Sequence, residues 1–201
     1  MPSLTRDQIL RTAIRIADDD GPDAVTLRRI GAVLGVHVTS LYNHVPTREA
    51  ITDGIVETLL VDAKLPVHLV PWEEWARGFL AAIATIATTH PGAFHALRQR
   101  PVQGPRATAS FEVALAAFAQ AGLGPADAYA AVKTIALLAV GVGLERSQAA
   151  RGDVLETRLD ELPADGFPLV RAVASATGPE ASWTFAEETM IAGLRAKIAG
   201  G

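Results

Sequence analysis

The sequence predicts an all-α protein, with a small N-terminal bundle of short helices followed by a larger C-terminal helical bundle. Three observations carry this. No segment of any length alternates apolar and polar residues as a half-buried strand would. Alanine is abundant while the 201 residues include 3 Trp, 2 Tyr and 6 Phe, a mix suited to closely packed helices rather than to a β-sandwich. Apolar residues recur at helical spacing between Gly and Pro breaks along the whole chain.

The elements follow in order. Leu4–Asp20 places Ile9, Leu10, Ala13, Ile14, Ile16 and Ala17 on one helical face, with Thr5 as N-cap and Gly21-Pro22 as the stop. Thr26 caps a short second helix that ends near Leu34, with Ile30 and Leu34 inward. Gly35 breaks it, because glycine accepts the positive φ that a tight turn between helices needs. A third short helix is expected over His37–His44, ended by Pro46. Thr47 caps a fourth through about Lys64, with Ile51, Ile55, Val56, Leu59 and Leu60 as its apolar stripe and Glu49 and Glu57 among them. Pro66–Pro71 reads as a linker. Beyond it helices are expected over 72–90, 92–99, 106–121, 125–150, 165–176 and 180–198, with Arg151–Pro168 as an acidic surface loop.

Composition excludes several classes. Cysteine is absent, so neither a disulfide framework nor a zinc-thiolate site is possible, and a cytoplasmic setting fits. The start MPSLTRDQIL lacks the basic flank and apolar run of a signal peptide. The most apolar run, Thr134–Leu144, has 11 residues, so a buried helix is expected rather than a membrane partner. No enzyme chemistry is expected. The five histidines, His37, His44, His68, His90 and His95, lack metal-ligand spacing, and there is no P-loop, GxGxxG or GxSxG. Glu73-Glu74 and Glu187-Glu188 read as solvated faces. Neither a cofactor nor a metal is expected.

Net charge is −4, yet its distribution is uneven. Asp18, Asp19, Asp20 and Asp23 cluster, and the next acid is Glu49. Between them lie Arg28, Arg29, His37, His44 and Arg48 with no acid, and a phosphate-binding surface needs only locally positive potential.

Two short helices joined by a glycine turn match the helix-turn-helix plan. With Ile30, Leu34, Val36, Leu41 and Val45 inward, the third helix is left with Val38, Thr39, Tyr42 and Asn43 outward and Ser40 on the flank. Such short side chains let a helix enter the major groove, where Thr and Asn meet base edges and Val a thymine methyl. The expected DNA-binding set is Thr26, Arg28, Arg29, His37, Val38, Thr39, Ser40, Tyr42, Asn43, His44, Thr47 and Arg48. Arg28 and Arg29 would reach a base or phosphate, and Arg48 with the N–H groups after Thr47 would hold the backbone.

The first 60 or so residues resemble the TetR family of transcriptional regulators. The likeness is carried by Ile9–Ala17, Gly21, Val25-Thr26-Leu27-Arg28-Arg29-Ile30, Leu34-Gly35-Val36, Ser40-Leu41-Tyr42-Asn43-His44-Val45 and Arg48. A further likeness, to the tetracycline-repressor branch, rests on Trp72, Arg100-Pro101, Gly143-Leu144-Glu145 and Ala186–Ile198. The resemblance implies a homodimer on a double-stranded DNA operator, released when a small-molecule effector enters the C-terminal bundle. It also divides the chain into a helix-turn-helix DNA-binding domain (1–48), a connecting helix (49–65) and a ligand-binding and dimerisation domain (66–201). Where the tetracycline binders carry a magnesium-binding histidine this chain has Ala96, and their pocket asparagine falls near Phe79, so neither tetracycline nor a metal-bound effector is expected.

The expected effector site consists of Trp75, Phe79, Ile83, Phe94, Phe111, Phe118 and Tyr129 as apolar lining, with Arg98, Arg100 and Lys133 at a polar end; the resemblance places Arg100 at the pocket. Ala130–Leu144 is apolar nearly all round, and with Ala181–Ile198 it is expected to form a four-helix dimer face. Two functions remain open: a ligand-responsive DNA-binding repressor, and a helical small-molecule or protein-binding module with a degenerate helix-turn-helix. The net negative charge favours the second; Arg28, Tyr42 and Arg48 favour the first.

Overall fold

The structure, a computed structural model, describes residues 4–99, 104–151, 166–169, 172 and 179–200. Among them the chain forms α1 (Arg6–Asp20), a 3-10 turn (Pro22–Ala24), α2 (Leu27–Leu34), α3 (Val38–Tyr42), α4 (Arg48–Asp62), α5 (Trp72–Thr89), α6 (His95–Gln99), α7 (Pro105–Gln120), α8 (Pro125–Ala150) and α9 (Pro179–Gly200). No strand occurs among the described residues. The expected helix over 165–176 and most of the expected loop 151–168 lie outside them.

The chain divides into two units, residues 1–151 and 152–201. In the first, α1, α2 and α3 form a head around Ile9, Ile14, Ile30, Leu41 and Val45, all buried. Local chemistry sets its helix starts. The Thr5 hydroxyl accepts from Gln8 N–H while Gln8 Oε1 accepts from Thr5 N–H, a reciprocal cap that satisfies two otherwise orphaned donors. Thr26 and Thr47 cap α2 and α4 through Arg29 N–H and Ala50 N–H, both at 3.1 Å. α4 leaves the head and packs along α1 so closely that a Cβ on Gly54 would overlap the Leu10 side chain.

α5, α7 and α8 form the larger bundle of this unit, with α5 against α8 as its most extensive pairing. Their alanines let the backbones approach, and Trp75, Leu80, Ile83, Phe118 and Ile135 fill the space between them. α8 is long and apolar enough to cross a bilayer, its best 18-residue window having a mean hydropathy of 1.5. The 11-residue count made from the uninterrupted apolar run understates it, because Lys133 divides the apolar face without ending the helix. Ala128, Ala131, Val132, Ile135, Ala139, Gly143 and Ser147 are nevertheless buried at three- and four-residue spacing, the pattern of a helix packed on one side. The other side of α8 presents Leu137, which is 68% exposed. In the second unit α9 presents Phe185 to solvent.

Candidate nucleic-acid interface and effector domain

Gly35 ends α2 in the left-handed region at φ +67°, and this reverses the chain within two residues. The Val36 N–H reaches back to the Gly31 carbonyl at 3.0 Å. α3 therefore crosses α2 over Gly31, where a Cβ would stand 2.9 Å from the Val36 carbonyl oxygen. Gly31 was not singled out from the sequence, although its position four residues before the turn glycine is where two crossing helices come closest.

α3 is shorter than the His37–His44 expected. His37 is its N-cap with extended backbone, and Asn43 its C-cap. The apolar spacing runs past the helix because Val45 reaches the core from a turn, its N–H on the Leu41 carbonyl at 2.9 Å. Leu41 and Val45 are fully buried, whereas Thr39, Ser40, Tyr42 and Asn43 face solvent, Tyr42 at 50% exposure. The exposed set thus lies on one short helix and its C-cap, free of its own core. Val38 differs from its outward expectation: it is half-buried, with Cγ2 turned to the Gly31 side of α2. His44 is half-buried and His37 exposed.

The cations divide. Arg28 and Arg48 are exposed on the first turns of α2 and α4. Arg29 is tied to Asp20 at 2.8 Å, so the acidic cluster and the acid-free window, separate in sequence, meet in space. The hydroxyls of Thr26 and Thr47 accept from their own helices, which leaves each O–H able to donate outward.

The expected effector residues fall into three groups. Trp75, Ile83, Phe94 and Phe118 are buried: Trp75 stacks on Phe79 (5.0 Å) and donates its indole N–H to Ser110 Oγ (3.3 Å), and Trp72 stacks on Phe118 (5.3 Å). Phe94 lies against α8 so closely that a Cβ on Gly143 would overlap its ring. Phe79 is half-buried beside this set. Phe111 and Tyr129 form a separate edge-on pair at 6.1 Å, with Tyr129 53% exposed, and Lys133 lies exposed further along α8. Arg100 and the Arg98 side chain lie outside the described residues. Ser110 gave no sequence signal, being a small polar residue on an alanine-rich face.

A cavity of about 50 Å³ lies where the head meets the turn after α5, lined among others by Ala17, Val25, Arg48, Ile51, Ile55 and Ala93. Effector pockets run to about 300 Å³ and more, so it has room for water rather than for an effector.

Residues 71–198 match the family described as the tetracyclin repressor-like C-terminal domain. An HTH-type transcriptional regulator of Saccharopolyspora erythraea is 34% identical over 141 residues, which cover 70% of this chain and 60% of that protein. This chain thus spans less than two thirds of that relative's length. The tetracycline repressor protein class A from transposon 1721 of Escherichia coli is 30% identical over 209 residues, covering 96% of this chain and 92% of the relative. Among solved structures, apo ActR of Streptomyces coelicolor is similar with a TM-score of 0.82 at 26% identity, over 100% of this chain and 99% of that one. ActR has also been solved in complex with actinorhodin. A helix-turn-helix head on an α-helical bundle, a C-terminal match over 71–198 and a likeness over nearly the whole length of a tetracycline repressor lead to one conclusion: the chain belongs to the TetR family of transcriptional regulators.

Proposed function

We propose that this chain is a cytoplasmic, homodimeric repressor that binds a palindromic double-stranded DNA operator through α3 and leaves it when a small molecule enters the C-terminal bundle. The observation that carries this reading is the solvent-facing set Thr39, Ser40 and Tyr42, with Asn43 at the C-cap, on a helix whose opposite side, Leu41, is locked into the head. Such a helix presents hydrogen-bonding groups to base edges while its own core holds its angle. Arg28 and Arg48 flank it as phosphate contacts, which position without reading sequence. The rival reading, a degenerate head, has only the net charge of −4 in its favour, and that charge is not local to the face.

The effector we propose is an apolar, aromatic molecule bound without metal. Its support is the aromatic lining around Phe79 and the likeness to ActR, which has been solved with actinorhodin. Dimerisation draws on the exposed apolar face of α8 at Leu137. The test is selection of bound duplexes from a random pool by the full chain. Enrichment of one inverted repeat, with half-site centres a helical turn or a multiple of it apart, is expected. An unenriched pool would refute the assignment.

A further inference from the structure

Three consecutive aspartates close α1, which has no basic residue in its last turn. The C-terminal end of a helix carries partial negative charge, so carboxylates are disfavoured there. Two of the three have partners elsewhere. Asp20 holds Arg29 within the head. Asp18 leaves the head: its Oδ1 accepts from the backbone N–H groups of Gly92 (3.0 Å) and Ala93 (2.9 Å), and its Oδ2 lies 2.8 Å from His90 Nδ1. The backbones touch at the same point, since a Cβ on Gly92 would overlap the Ala17 carbonyl. All three partners belong to the turn between α5 and α6.

Glu57 makes the corresponding contact beyond α6. From α4 its Oε1 accepts from the backbone N–H of Arg106 at 3.3 Å, in the first turn of α7. The N-cap of α7, Gly104, offers no side-chain acceptor, and Glu57 takes that place from another helix. A Cβ on Gly104 would overlap the Glu57 carboxylate, so only glycine admits it. Arg106 Nη2 returns the contact to the Leu65 carbonyl, just past α4, at 3.3 Å. α1, within the head, and α4, which leaves it, therefore each place a carboxylate on a backbone turn of the effector domain, one before α6 and one after it.

We infer that Asp18 and Glu57 are positioning residues, which fix the head on the effector domain and so set the spacing of the two α3 helices in the dimer. The inference rests on the DNA-binding reading above. Its physical basis is directionality. Apolar contacts between helices tolerate sliding, whereas a carboxylate shared by two backbone donors and an imidazole fixes both distance and angle.

The test uses the full chain and the duplex it selects from a random pool, in three forms: as selected, with one base pair inserted between the half-sites, and as a single half-site. One base pair shifts the half-sites by about 3.4 Å and about 35°. The unmodified chain is expected to lose at least about tenfold in affinity on insertion. Asp18→Ala is expected to bind the single half-site normally and to lose less than about threefold on insertion, because its heads follow the DNA. Glu57→Gln, which keeps shape but loses charge, is expected to shift the penalty in the same direction. A purely structural role would lower the melting temperature and leave the insertion penalty intact, so an intact penalty in both variants overturns the inference. Should Asp18→Ala fail to fold by circular dichroism, the near-isosteric Asp18→Leu, which also removes both acceptor oxygens, replaces it under the same criterion. If the unmodified chain enriches no duplex, the DNA-binding reading fails and takes this inference with it.

Discussion

Gly31→Ala tests how α3 is held. In the structure the added Cβ stands 2.9 Å from the Val36 carbonyl oxygen and 3.6 Å from Leu41 Cδ1. The first distance is about 0.5 Å short of ordinary contact, and its partner is backbone of the turn that leads into α3, so this turn must move away from α2 and shift the start of α3 with it. Overpacking of this kind costs about 1–3 kcal/mol, against a gain of about 1 kcal/mol for replacing glycine by alanine in a helix. A net loss of up to about 2 kcal/mol is expected, read as a lower urea midpoint at constant slope, together with weaker binding to the selected duplex. Gly35→Ala separates strain from displacement. Nothing lies within 4 Å of its Cβ, but its φ of +67° is unfavourable for alanine, so stability falls by about 1 kcal/mol while α3 keeps its place and DNA affinity changes less. A rise in the urea midpoint for Gly31→Ala, the ordinary outcome at an unobstructed helical glycine, would refute the close approach of α2 and the turn that leads into α3.

Arg28→Ala is expected to weaken DNA binding across sequences and to reduce the slope of log affinity against log salt by about one, as titration at several salt concentrations would show. Leu137→Asp places a charge on the exposed apolar face of α8 and is expected to convert a dimer to a monomer of unchanged helicity; a dimer that survives it in sedimentation removes that face from the interface. With actinorhodin as a probe, the chain is expected to melt at a higher temperature, and Phe79→Ala to lose most of that shift. A shift retained in full would remove Phe79 from the site.

Legibility in the sequence followed the range of each interaction. The caps at Thr5, Thr26 and Thr47 are local, each closed within three residues, and all three were readable. The turn at Gly35 was readable because only glycine takes its backbone conformation readily. The length of α3 was overread, since Val45 keeps the apolar spacing while standing in a turn. The pairing of Arg29 with Asp20 was missed: a run of acids and an acid-free window look independent along the chain, and only the fold of α1 beside α2 brings them together. Asp18 and Glu57 could not have been read at all. Their partners lie 49 to 75 residues away and are mostly backbone N–H groups, which leave no mark on residue type. The aromatics of α5 and α7 were visible as a set, but Ser110 beside Trp75 and Gly143 beneath Phe94 are small residues whose role depends on helix pairing.

The central claim is that the solvent face of α3 reads DNA. It is tested by the affinities of the unmodified chain and of a Thr39→Ala, Tyr42→Ala double variant for the selected duplex and for a scrambled one at the same salt. Each lost base-edge contact is worth about 1–3 kcal/mol, so the variant should lose at least about 30-fold on the selected duplex. On the scrambled duplex, where phosphate contacts dominate, it should bind as the unmodified chain does. Full affinity of the variant for the selected duplex would contradict the account.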